Sequence, residues 1–190
     1  LKNPDLSILS DEFLADLQGM PQKNLALEML RKLLNDEIKM KGRKNVVQAR
    51  SFREMLEASV KKYQNRGIET AEVIQELIEL ANRMQQAKRR GDQLGLNESE
   101  EAFYDALVNN KSAVEDLGDE TLKTIARELA DRIRKSATID WTIKETVRAE
   151  MRAMVRRLLK KYKYPPDQQE SATELVLQQA ETLALDFTTA

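Results

Sequence analysis

The 190-residue sequence contains no cysteine and no histidine. Without cysteine there is no disulfide framework, no thiolate nucleophile and no sulfur ligand for zinc. Without histidine the chain lacks the commonest metal ligand, the one side chain that titrates near neutrality unperturbed, and every Ser-His or Cys-His pair. Six glycines, four prolines and 5% aromatics are too few for a turn-rich sandwich or barrel. No apolar run approaches the roughly 20 residues of a membrane span, and the first residues lack the basic-then-apolar order of a signal peptide. Neither GxGxxG nor GxxxxGK occurs, so nucleotide binding has no local support. The expectation is a cytoplasmic chain with no membrane partner, no catalytic residue, no metal and no cofactor of its own.

What is present is helix-forming. Hydrophobic residues make up 41% and charged residues 33%, which predicts an all-α fold of about seven helices without a sheet, an irregular bundle built on one very long helix. One domain over residues 1–190 is expected, with sub-lobes 1–90 and 91–190 as a possible division. The chain opens at Leu1 without an initiator methionine, as a piece of a longer polypeptide would.

Ser10 or Asp11 can cap a short helix ending at Gly19, and Pro21 stands where a helix start tolerates proline. The next helix, to about Lys41, carries Leu25, Leu27, Met29, Leu30, Leu33, Leu34 and Ile38 as a buried stripe. From Ser51 to Arg90 one apolar phase holds through Phe52, Leu56, Val60, Tyr63, Ala71, Ile74 and Met84. Unbroken, that helix is on the order of 60 Å long. Gly67 falls in its buried phase, where a crossing helix could approach; the alternative is a break there. Gly91 and Gly95 punctuate a loop, and Asn97 with Glu100 has the spacing of a capping box. Asp119 opens another helix. Thr142 with Glu145 caps one that Pro165 and Pro166 stop, and Asp167 with Glu170 starts the last, buried through Leu175, Val176, Leu183 and Phe187.

Pro4-Asp5 and Glu37-Ile38-Lys39 spell the pieces of a metal-dependent nuclease core, whose carboxylates must converge on a divalent ion. Glu37 to Lys39 lie in a helical pattern, where successive side chains diverge, so a solvated helix face is expected instead. Trp141 and the methionines Met20, Met29, Met40, Met55 and Met84 are expected to pack rather than bind ligands.

Charge is sorted along the chain. Residues 31–66 hold 11 Lys/Arg against 4 Asp/Glu, a net +7, and residues 141–164 hold 8 against 2, a net +6. Residues 92–120 hold 1 base and 9 acids, a net −8, and from Asp167 onward there are five acids and no base. Lys144, Arg148, Arg152, Arg156 and Lys160 recur every four residues, with Arg157 and Lys161 beside them. A step of four overshoots one turn by about 40°, so the row winds as a band. Beside it runs an apolar stripe of Val147, Met151, Met154, Val155, Leu158 and Tyr162. Lys144, Arg148, Arg152, Arg156, Arg157 and Lys160 are therefore the candidate contacts for a phosphate backbone or an acidic protein surface. The competing reading is that they meet the chain's own acidic helices or water.

The phrases MPQKNLALEMLRKLLNDEI, VVQARSFREMLEASVKKYQNR, AEVIQELIELA and IDWTIKETVRAEMRAMVRRLLKKYKYPP resemble the C-terminal helical region of the restriction and motor subunit of bacterial type I restriction-modification enzymes, from about Ser10 to Leu183. The resemblance implies a parent subunit that translocates DNA with ATP and Mg2+ and cuts it. It also implies modification and specificity subunits as partners, with the motor lobes upstream. The function it implies for this region is docking, with contact to duplex DNA as the alternative. Gly67 departs from the alanine expected of such sequences.

Overall fold

The computed structural model describes residues 9–136 and 144–189, with side chains through Leu185. Among the described residues there are nine helices and no strand: α1 (Asp11–Gly19), α2 (Lys23–Gly42), α3 (Val46–Gln64), α4 (Thr70–Leu94), α5 (Glu98–Val108), α6 (Lys111–Leu117), α7 (Asp119–Ser136), α8 (Glu145–Lys161) and α9 (Gln169–Thr189). Pro4, Asp5, Trp141 and Thr142 lie outside the described residues, as does the side chain of Phe187. No described helix is long and apolar enough to cross a membrane.

The chain forms two compact units, one of residues 1–40 and 49–90, the other of residues 41–48 and 91–190. In the first, α1 starts as its sequence dictates: the Ser10 hydroxyl accepts the Phe13 N–H at 3.3 Å. Its core joins Leu14 and Leu17 of α1, Ala26, Leu30, Leu34 and Ile38 of α2, Phe52 and Leu56 of α3, and Val73, Leu77 and Ala81 of α4.

The expected stripe of α2 is rotated. Leu27, Leu30, Leu34 and Ile38 are buried, together with Ala26, but Leu25 and Met29 point outward at 48% and 39% exposure. The buried set follows a 3, 4, 4 spacing through Leu27, and neither Leu25 nor Met29 falls within that arc. Met40 and Met55 are exposed as well, so of the five methionines expected in packing only Met84 is fully buried and Met20 half-buried.

The single long helix is also corrected. α3 ends at Gln64 and α4 begins at Thr70. Arg66 takes the left-handed conformation at φ 56°. The Gly67 N–H donates to the Lys62 carbonyl at 2.9 Å and the Arg66 N–H to the Tyr63 carbonyl at 3.0 Å. This paired closure satisfies carbonyls that a helix end would otherwise orphan. The glycine is thus one position past the strained residue. It is exposed, as is Ala71, and among the described residues no crossing helix meets it: a Cβ there would touch only the Lys62 carbonyl, at 3.3 Å.

Gly91, expected in a loop, lies within α4. A Cβ on Gly91 would stand 2.7 Å from Glu101 Oε2 and 3.2 Å from the Leu96 carbonyl. Gly95, at φ 68°, ends the helix, with the Leu96 N–H donating to the Gly91 carbonyl at 3.0 Å. The box at α5 forms as its spacing requires, Asn97 accepting the Glu100 N–H and Glu100 accepting the Asn97 N–H, both at 2.9 Å. The break at residues 65–69 and the short α6, capped by Asn110, account for the two helices beyond seven.

The second unit packs α5 against α7 and α9, α9 against α8, and α8 against α7. Every residue from Glu101 to Leu107 is buried, so α5 is covered on all sides. Lys163 repeats the left-handed closure at φ 57°, which turns Tyr164 into the core. There its hydroxyl donates to the Leu107 carbonyl at 2.7 Å, and burial pushes that hydroxyl above its ordinary pKa.

Candidate functional site

The basic band lies on α8, whose buried face is Met151, Val155, Leu158 and Leu159. Lys144 is the N-cap residue and is exposed. Its neighbour along the band, Arg148, places Nε 3.0 Å from Glu181 Oε1. Arg152 reaches Glu170 Oε1 at 3.1 Å and also pairs with Glu174, while Arg156 reaches Glu170 Oε2 at 2.6 Å. Glu170, Glu174 and Glu181 recur at steps of four and seven on α9, which puts them on one face. Ascending α8 from Arg148 to Arg156 meets α9 from Glu181 back to Glu170, so the two charged rows run antiparallel and match.

Arg157 and Lys160 fall off that seam. The Arg157 Nε donates to the Ala153 carbonyl of its own helix at 3.2 Å, and Lys160 is exposed with no ion pair among the described residues. Lys161 turns to α7. It lies 3.3 Å from Glu128 Oε1 and sits 5.0 Å above the Tyr162 ring. The Tyr162 hydroxyl donates to Glu128 Oε2 at 2.6 Å, and Arg132 Nη2 is 2.6 Å from Oε1. Burial acts to raise the Glu128 pKa, but the hydrogen bonds from Tyr162, Arg132 and Lys161 outweigh it and the carboxyl is lowered. The Tyr162 hydroxyl is raised, first by its bond to Glu128 and then by burial.

A second polar constellation was missed by sequence reasoning. Asn45 Nδ2 donates to Asp105 Oδ2 at 2.7 Å, and Gln48 Nε2 donates to Glu101 Oε1 at 3.0 Å and Asp105 Oδ2 at 2.8 Å. All four side chains are buried. Glu101 and Asp105, one helical turn apart within an otherwise apolar stretch, were the available signal. Their amide partners lie more than fifty positions away, where no local pattern marks them. The amides neutralise nothing but satisfy the carboxylate lone pairs, which is what burial of such groups demands.

Glu37, Ile38 and Lys39 lie within α2, with Ile38 in the core and Lys39 exposed, so the nuclease-like triplet does not converge. Among the described residues no three carboxylates are grouped so as to hold a metal ion.

The C-terminal family model described as type I restriction enzyme HindI endonuclease subunit-like matches residues 1–186. The type I restriction enzyme HindI endonuclease subunit of Haemophilus influenzae is 42% identical over 185 residues, covering 97% of this chain and 18% of that protein. A Methanocaldococcus jannaschii protein named as a type I restriction enzyme MjaIXP endonuclease subunit is 35% identical over 167 residues, covering 84% of this chain and 15% of its own length. The chain thus spans less than a fifth of the curated relatives it matches, and no solved structure matches it. On the match over nearly its whole length, this chain belongs to the family of C-terminal regions of HindI-like type I restriction endonuclease subunits.

Proposed function

We propose that the chain is the helical assembly domain of a type I restriction endonuclease subunit. In this reading it docks the DNA-translocating and cleaving subunit onto the modification and specificity subunits in the cytoplasm. ATP and Mg2+ serve other parts of the parent, and no catalytic step passes through these residues. The α8–α9 pairing supports the reading most: Arg148, Arg152 and Arg156, the strongest candidate track for a polyanion, already face Glu170, Glu174 and Glu181. A phosphate backbone would have to displace three carboxylates to use them.

Mixing the 190-residue chain with modification and specificity subunits at micromolar concentration is expected to give one co-eluting complex on size exclusion. Separate elution would refute the docking role. The DNA-contact alternative rests on Arg157 and Lys160. It requires duplex binding that weakens with salt by about one log-log unit per phosphate neutralised and that Arg157→Glu with Lys160→Glu abolishes.

A further inference from the structure

The seam between α8 and α9 carries more charge than its packing needs. Met151, Val155 and Leu158 of α8 and Val176, Leu177 and Ala180 of α9 already bury together in one core. Exposed ion pairs add little to a contact that apolar burial holds. Yet three arginines and three glutamates line its rim, and the side chains of Arg148, Arg152 and Arg156 remain 51%, 33% and 47% exposed. Their guanidinium groups are engaged, but they stay open to solvent and to a ligand arriving from it.

The arginine row does not end at the seam. Another step of four from Arg156 reaches Lys160, about 40° further round the helix, and Arg157 lies about 60° beyond that. Both are exposed, and neither makes an ion pair among the described residues. The five cations thus form one continuous track, closed by carboxylates along its first three positions and open along the rest. The closing side is as one-signed as the track. From Asp167 onward the chain has five acids and no base, and Glu170, Glu174 and Glu181 of α9 are the three that meet the arginines.

We infer that the α9 carboxylates mask a duplex-DNA-binding track on α8, made of Arg148, Arg152, Arg156, Arg157 and Lys160. The ligand is a phosphate backbone rather than an acidic protein because of what each gains by displacing the glutamates. An acidic helix exchanges carboxylate for carboxylate, about one per turn, and leaves the arginines as they were. A duplex carries one charge per about 1.7 Å of axis and releases condensed counterions when cations replace them. α9 itself is fixed by its apolar face, so the mask opens by rotation of three surface carboxylates and not by departure of the helix. This goes beyond the assembly reading, and neither depends on the other.

The test is fluorescence anisotropy of a labelled duplex of about 20 base pairs, long enough to cover a protein making several phosphate contacts, titrated with the 190-residue chain at several salt concentrations. Glu170→Gln with Glu174→Gln and Glu181→Gln should raise affinity at low salt by roughly tenfold or more and steepen the log-log salt slope by about three, one for each arginine released. Adding Arg148→Gln, Arg152→Gln and Arg156→Gln to that variant should return both to parent values. Glu54→Gln with Glu57→Gln and Glu79→Gln, at exposed positions elsewhere, changes net charge by the same amount and should leave the slope as in the parent. Should the triple α9 variant lose helicity by circular dichroism, Glu170→Gln alone, which releases Arg156, should still steepen the slope by about one. An unchanged slope overturns the inference, as does an equal gain in the control or a gain that survives loss of the arginines. A parent slope already near about five overturns it as well, since the carboxylates would then mask nothing. Co-elution with the modification and specificity subunits is read separately.

Discussion

Gln179 of α9 closes on both sides of Val46: its Oε1 accepts the Val46 N–H at 2.9 Å and its Nε2 donates to the Lys44 carbonyl at 2.8 Å. A single fully buried amide thereby satisfies two backbone groups at the turn between α2 and α3. Replacing it by leucine keeps the volume and orphans both groups. Each buried unsatisfied group costs about 1–3 kcal/mol, so Gln179→Leu should lower unfolding stability by about 2–4 kcal/mol in a urea titration. A loss below about 0.5 kcal/mol would show that water replaces the amide freely.

Gly91, within α4, and Gly67, in the turn that precedes it, should respond differently to the same change. By helix propensity alone, Gly91→Ala within a helix should stabilise by about 1 kcal/mol. Instead its new methyl meets Glu101 Oε2 at 2.7 Å, a carboxylate held from the other side by Gln48, and the fixed Leu96 carbonyl at 3.2 Å. Overpacking of that kind costs about 1–3 kcal/mol, so a net loss is expected. Gly67→Ala should stay within about 0.5 kcal/mol of the parent. Thermal denaturation of the two variants side by side decides the order.

Arg66 and Lys163 occupy left-handed backbone that glycine adopts without strain. Arg66→Gly and Lys163→Gly should therefore each stabilise by about 0.5–1 kcal/mol, the relief of Cβ strain exceeding the entropy glycine adds to the unfolded chain. Destabilisation of both, seen as a falling urea midpoint, would mean that the charged side chains at these closures contribute more than the strain they impose.

Glu128 supplies a pH dependence with a definite sign. Its folded pKa is lowered from 4.5, so its contribution is present above the unfolded value and is lost as pH falls through the folded one. Tyr162→Phe removes the hydroxyl that donates to it. The variant should be less stable than the parent by about 1 kcal/mol at pH 7, and the gap should shrink as pH drops below 4.5 and Glu128 protonates. A gap of constant size from pH 7 to pH 3 would place the effect in packing. On the alkaline side the raised Tyr162 pKa works in the other direction: its contribution is full below the unfolded value and is lost as pH rises through the folded one.

Much of this was legible in the residues. Ser10 and Asn97 cap helices because their short polar side chains accept backbone N–H groups three positions on, and Glu100 reaches back to accept the Asn97 N–H, events contained in a few consecutive residues. The length of α3 and α4 was not legible, because a five-residue turn keeps the apolar phase almost unchanged and periodicity passes through it unaltered. Nor did Gly67 mark the strained residue, since the closing hydrogen bonds position Arg66 and not its neighbour in the left-handed region. The candidate site followed the same division. That Arg148, Arg152 and Arg156 form a row is a matter of helical spacing. That Glu170, Glu174 and Glu181 stand opposite depends on how two helices pack.

The sequence by itself determined a helical chain, the caps at Ser10 and Asn97, its sorted charge and its lack of sulfur and imidazole chemistry, because each follows from side-chain type and short-range spacing. The box expected from Thr142 and Glu145 is not among these, since α8 begins at Glu145 with Lys144 as its N-cap and no side-chain cap bond. Tertiary structure alone decided which charges were matched within the chain and which faced outward, why Gly91 rather than Gly67 is confined, and which side of α2 stayed uncovered. Those outcomes depend on which atoms the folded chain brings within a few ångströms of one another, and residues far apart in sequence, such as Val46 and Gln179, carry no local sign of that meeting.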